Sequence, residues 1–140
     1  KRGGSTGVGM DELKVVRVAR CEVPPNGEVH RTIRRFLDNR RRMMDAGEGI
    51  DWETAEALAC GSLLREGSPV RLSGQDCERG TFSQRHSVLI DQGNEERFTP
   101  LNALGAAQAR FEVINSMLSE AAVPGFEYGY SLADPKALVM

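Results

Sequence analysis

Histidine and cysteine are scarce in this 140-residue chain, which has only His30 and His86, and Cys21, Cys60 and Cys77. Two histidines leave a structural zinc site short of nitrogen ligands, and the cysteines stand too far apart for a Cys-x-x-Cys motif. An odd number at irregular spacing fits no disulfide framework either, so a reducing, cytosolic-type compartment is expected and no metal ligand is assigned. Long hydrophobic runs are missing: no stretch approaches the roughly 18 apolar residues that a membrane-crossing helix needs. There is no Gly-x-Ser-x-Gly elbow of a serine hydrolase. The glycines from Gly3 to Gly9 lead into no Gly-Lys-Ser/Thr, which excludes a phosphate-binding loop of that type. Lys1-Arg2 precede no apolar core and so do not open a signal peptide; an interior piece of a longer chain is expected.

What remains is a charged, soluble-type composition, 40% hydrophobic and 27% charged, enough for one core. The net charge of −2 hides an asymmetry. Residues 1–49 carry eleven Lys/Arg against seven Asp/Glu, whereas residues 50–140 carry seven against thirteen. Residues 1–9 read as a flexible, glycine-rich lead-in. A short helix is predicted from Asp11 to Arg20, closed by Pro24-Pro25-Asn26-Gly27. Val29, Ile33, Phe36, Leu37, Met43 and Met44 recur at helical spacing with arginines between them, and Gly47 and Gly49 end the pattern. The face bearing Arg34, Arg35, Arg40, Arg41 and Arg42 is either solvated or salt-bridged to a larger protein. Contact with nucleic-acid phosphates is the other reading, but no aromatic interleaving accompanies it.

Asp51 predicts a helix N-cap with Glu53 in the first turn, and Trp52, Ala55, Leu58, Ala59, Leu63 and Leu64 give that helix a broad apolar face. A strand over Pro69–Gly74 leads into a polar loop. A second strand spans Arg110–Ser116, a helix runs from about Ser119 to Leu132, and Ala137–Met140 opens a third strand. The fold class is therefore α/β: an open, mostly parallel sheet with flanking helices, preceded by a helical connecting segment. Ligands in such sheets bind beyond the carboxyl ends of the strands, which directs attention to Gln75–Asp91.

That loop gathers Gln75, Asp76, Glu78, Arg79, Arg85 and His86. Its arginines suit an anionic substrate and His86 suits proton exchange, while a solvated loop with internal salt bridges satisfies the same composition. Cys77 near His86 admits a thiol–imidazole pair by sequence proximity alone. Glu120 lies at a strand-to-helix turn, where it either faces a ligand or merely complements the helix dipole.

Four blocks carry a resemblance: Ile50-Asp51-Trp52-Glu53-Thr54-Ala55-Glu56, Val70-Arg71-Leu72-Ser73-Gly74-Gln75-Asp76, Arg79-Gly80-Thr81-Phe82-Ser83-Gln84-Arg85-His86 and Leu118-Ser119-Glu120. Together with Gly125-Phe126-Glu127-Tyr128-Gly129-Tyr130-Ser131, they resemble the first, decarboxylating components of 2-oxoglutarate dehydrogenases. The match runs from about Asp11 to the last residue. The resemblance implies that residues 50–140 are the N-terminal half of a transketolase-like pyrimidine-binding domain, with residues 1–49 forming the lead-in and connecting segment. It implies thiamine diphosphate as cofactor, with magnesium and diphosphate held by a domain outside this chain. Glu120 would be the catalytic carboxylate sharing a proton with the aminopyrimidine N1′ nitrogen, so that the thiazolium carbon can be deprotonated. His86 would be the second catalytic residue and line the substrate pocket with Arg85, Gln75 and Asp76, and Phe126 and Tyr130 would contact the cofactor.

The resemblance further implies a homodimer, a 2-oxo acid substrate, a lipoyl-bearing succinyltransferase partner, and a bacterial cytoplasm or mitochondrial matrix, the former favoured. The 140 residues alone are expected to be inactive. Related substrates, 2-oxoadipate or a branched-chain 2-oxo acid, stay open, as does a non-catalytic module built on the basic helix. Three positions depart from the family pattern: Ala121 replaces an acid, Pro124 an aliphatic residue and Ala103 a histidine.

Overall fold

A computed structural model describes residues 4–140. Of the lead-in, Lys1–Gly3 lie outside the described residues, and residues 4–9 are exposed without regular structure. Helix α1 spans Met10–Cys21, α2 Arg31–Ala46 and α3 Trp52–Arg65. Strand β1 covers Val70–Gly74, β2 Leu89–Ile90, β3 Arg97–Phe98 and β4 Phe111–Asn115. Helix α4, Ala122–Ala133, and strand β5, Leu138–Val139, follow.

The helices begin and end where local chemistry directs. The Asp51 carboxylate accepts from the Thr54 amide at 2.8 Å and so satisfies one of the orphan donors that open α3. Gly47 closes α2 at φ 69°, a left-handed conformation that costs glycine little, and its amide donates to the Met43 carbonyl. Helix α4 starts three residues later than its predicted start at Ser119. There the Ser119 hydroxyl accepts from the Ala122 amide at 3.3 Å. Pro124 is consequently the third residue of the helix, within the turn whose amides need no helical partner, and its missing N–H costs no helical bond.

The main sheet is parallel, in the order β4-β1-β5, with Val70 opposite both Phe111 and Leu138. The fold is α/β with helices flanking this sheet, as the order of elements implied. Two features escaped the sequence reading: β2 and β3 form a small antiparallel ribbon within and just after the stretch read as a polar loop, and Pro100–Asn102 make a single 3-10 turn.

Val16 and Ala19 of α1, Cys60 and Leu64 of α3, Val70 and Leu72 of β1, Cys77, Leu101, Leu104 and Phe111 form the core. Each large apolar side chain removed from water there contributes roughly 1.5–3 kcal/mol. Helix α1 approaches α3 closely because Gly61 has no side chain; a Cβ there would run into Val16. Trp52 corrects the predicted buried face: it is 92% exposed, at the mouth of an open apolar groove shared with Ala55, Ala59, Leu138 and Met140. No helix among the described residues is long and apolar enough to cross a membrane.

Candidate active site

The loop between β1 and β2 leaves the carboxyl end of the central strand and is fastened to its neighbour. The Ser116 amide donates to the Gly74 carbonyl at 2.8 Å, and the Glu78 amide to the Asn115 side-chain oxygen at 3.1 Å. Within the loop Asp76, Ser83 and His86 hold φ values of 52°, 54° and 48°. Left-handed backbone costs a non-glycine residue roughly 1–2 kcal/mol, and three of the five such residues among the described ones lie in this polar loop.

His86 is half-buried, its Nε2 lying 2.7 Å from the Ser83 carbonyl and its ring meeting Phe36 of α2 edge-on at 5.2 Å. Burial lowers its pKa below the usual histidine range; the Ser83 carbonyl opposes that shift, and Arg40, Arg20 and Arg79 add to it. The imidazole is thus neutral at neutral pH. With Nε2–H assigned to the Ser83 bond, Nδ1 is the nitrogen left to exchange a proton. Arg85 is forked onto Glu56, Nε to Oε1 at 2.7 Å and Nη2 to Oε2 at 3.2 Å, and Nη1 reaches the Cys77 carbonyl. Asp76 pairs with Arg79, and Gln75 is exposed. Burial raises the Cys77 thiol, which leaves it a core residue without thiolate character.

Of the arginines read as a solvated or salt-bridged face, Arg34, Arg35, Arg41 and Arg42 are exposed, whereas Arg40 is buried and ion-paired within this chain. It is 0% exposed, and together with Arg20 of α1 it encloses Glu53 of α3. Arg20 Nη2 is 2.7 Å from Glu53 Oε1, and Arg40 pairs with the other oxygen. Burial lowers the Arg40 pKa to about 10, with the like charge of Arg20 adding to the effect. Burial likewise pushes Glu53 up against the pull of the two guanidinium groups. No pattern in the sequence exposes this joint, because a binary hydrophobic–polar reading assigns arginine to the surface.

At the other side of β1, Arg71 donates to Glu127 of α4 at 2.8 and 3.1 Å and to Glu112 of β4 at 2.9 Å. Ser73 also donates to Glu127, at 2.7 Å. The Arg71 guanidinium lies 4.6 Å from the Tyr130 ring centre and 5.7 Å from that of Phe126. The two aromatic residues named from the sequence therefore share one cation, and Phe126 remains largely exposed. Glu120 occupies the turn between β4 and α4, exposed, and no hydrogen bond or ion pair among the described residues engages its carboxylate.

Residues 48–140 match the family model of the transketolase pyrimidine-binding domain. The chain belongs to that family. Over its whole length it is also 63% identical to proteins named 2-oxoglutarate dehydrogenase E1 component from Brucella anthropi, Brucella canis and Brucella suis. The relationship that the sequence blocks carried thus extends through α1 and α2, ahead of the matched domain. The chain spans 14% of the length of these curated relatives.

The residues named from the sequence as candidate site residues fall on two loops. His86, Arg85, Gln75 and Asp76 lie on the β1–β2 loop, and Glu120 at the β4–α4 turn, both beyond carboxyl ends of the parallel strands. Phe126 and Tyr130 follow on α4. Sequence reasoning missed Arg71, Glu127, Arg20, Arg40 and Glu53, whose partners lie far apart along the chain.

Proposed function

We propose that this chain is part of the decarboxylating component of a 2-oxoglutarate dehydrogenase and contributes one half of a thiamine-diphosphate site. The observation that carries this reading is the exposed, unpaired carboxylate of Glu120 at the carboxyl edge of the parallel sheet in a pyrimidine-binding domain. The residues suit the aminopyrimidine end of the cofactor: a carboxylate free to share a proton, followed by the exposed ring of Phe126 and the ring of Tyr130 on α4. Among the described residues no three His, Cys, Asp or Glu side chains gather as a metal ion would require. The diphosphate and its magnesium are assigned to chain outside these 140 residues, contributed across a homodimer.

When bound, thiamine diphosphate would supply a thiazolium able to accept the electron pair left when a 2-oxo acid loses carbon dioxide. Glu120 holds a proton at its carboxylate for exchange with the ring nitrogen of the pyrimidine. His86, kept neutral by partial burial with arginines adding to the effect, offers Nδ1 as a proton acceptor in the substrate pocket, with Arg85, Gln75 and Asp76 in the same loop. A lipoyl group on a succinyltransferase would receive the four-carbon unit as an acyl group, its disulfide serving as the two-electron oxidant and being reduced to thiols, one of them acylated, in a bacterial cytoplasm.

The test uses the full-length enzyme. Glu120→Gln is expected to lower 2-oxoglutarate decarboxylation about 10²- to 10⁴-fold, the range usual for a positioned acid–base group. Wild-type turnover by that variant would overturn the role of Glu120. A panel of 2-oxoglutarate, 2-oxoadipate and branched-chain 2-oxo acids is expected to show preference for the first; preference for another keeps the fold and cofactor and replaces the substrate.

A further inference from the structure

Two helices that precede the matched domain reach into the β1–β2 loop. Arg40 Nη2 of α2 donates to the Arg85 carbonyl at 3.0 Å and also to that of Gln84, the two residues immediately before His86. Arg20 Nη2 of α1 donates to the same Arg85 carbonyl. The Arg40 guanidinium also lies 4.5 Å from the centre of the Phe36 ring, and that ring meets the His86 imidazole edge-on. From α2, then, one residue grips the backbone entering His86 and another, braced by the first, bears on its ring.

We propose that Arg40, assisted by Arg20 and Phe36, is a positioning residue that holds His86 in its left-handed conformation for the reaction. This deepens, and rests on, the reading of His86 as a substrate-contacting residue. The need for such a device is visible in the backbone. With φ at 48°, the peptide before His86 sits in a conformation that a histidine leaves readily unless its surroundings hold it. The Arg85 carbonyl belongs to the peptide whose rotation would release it, and the Gln84 carbonyl to the peptide before. Glu53 explains how two guanidinium groups can be spent on one loop: its carboxylate offsets their mutual repulsion in a site shielded from water. The side chains at this joint leave Arg40 Nε and Nη1 without partners, so both of its hydrogen bonds run through the one nitrogen aimed at the loop, which also pairs with Glu53 by charge. A residue serving only to fill the core would not be an arginine so directed.

The experiment is a double-substitution cycle in the full-length enzyme, pairing Arg40→Lys with His86→Ala and reading kcat/KM for 2-oxoglutarate. A second readout is the rate of His86 ethoxycarbonylation in the cofactor-free enzyme, mapped by mass spectrometry. Lysine keeps the charge, but its ammonium ends one bond short of where Nη2 stands and has no planar face for Phe36, so kcat/KM is expected to fall about 10- to 100-fold, as small displacements of reacting groups do. In the His86→Ala background that loss is expected to shrink below twofold, because residues acting through one another are not additive. Modification of His86 is expected to accelerate severalfold. Losses that simply multiply, or an unchanged modification rate, overturn the positioning role while leaving His86's own role intact. Wild-type kcat/KM in His86→Ala overturns both. Should Arg40→Lys fail to fold, Phe36→Leu, which removes the ring edge from the imidazole and keeps apolar bulk, takes its place in the same cycle under the same criteria.

Discussion

Burial strips Glu127 of water, and this alone would drive its carboxyl towards the protonated form; the hydrogen bonds from Arg71 and Ser73 outweigh that and bring its pKa below the ordinary value. A carboxylate whose folded pKa lies below its unfolded value, here 4.5, stabilises the fold fully above that value. The contribution fades as pH falls through the lower folded value. Glu127→Gln is therefore expected to cost roughly 1–3 kcal/mol at neutral pH. The gap between variant and full-length wild type should narrow as unfolding is measured towards about pH 3. A gap constant from pH 7 to about pH 3 would contradict the charged network. Nothing in the sequence pointed to this pair, because Arg71 and Glu127 are 56 positions apart. Glu120 was legible only through the block Leu118-Ser119-Glu120, since an acid near a helix start has a plain electrostatic explanation.

Elements were legible in proportion to the length of their pattern. Helices α1, α2 and α3 were found within a few residues because periodicity ran for three turns or more and Asp51 and Gly47 punctuated it. The β2–β3 ribbon was not, since two-residue strands present no period to read. How closely elements pack was equally invisible, and the crossing of α1 over α3 depends on one missing side chain. Gly61→Ala adds a methyl where Val16 already sits, although alanine alone favours a helix by about 1 kcal/mol over glycine. Overpacking is expected to win, for a net loss of about 1–2 kcal/mol in a urea titration. A gain in stability would mean that α1 can move away from α3 at little cost.

For the whole molecule, the change in composition at residue 49 and the start of the family match at residue 48 mark nearly the same border. The interior does not respect it: Val16 and Ala19 belong to the core, and Arg20 and Arg40 neutralise Glu53 across the line. Removing residues 1–49 would leave a buried carboxylate without either partner, a loss of roughly 3–5 kcal/mol before that of the α1 core contacts is added. Residues 50–140 alone are expected to give no cooperative thermal transition by circular dichroism; a sharp transition would show that the joint is dispensable. The same ion cluster sets a rule for anyone shuffling domains among these enzymes. A chimera spliced at residue 49 inherits a carboxylate from one parent and its two counter-charges from the other, so the crossover that looks cleanest on an alignment is the one that demands three matched residues at once.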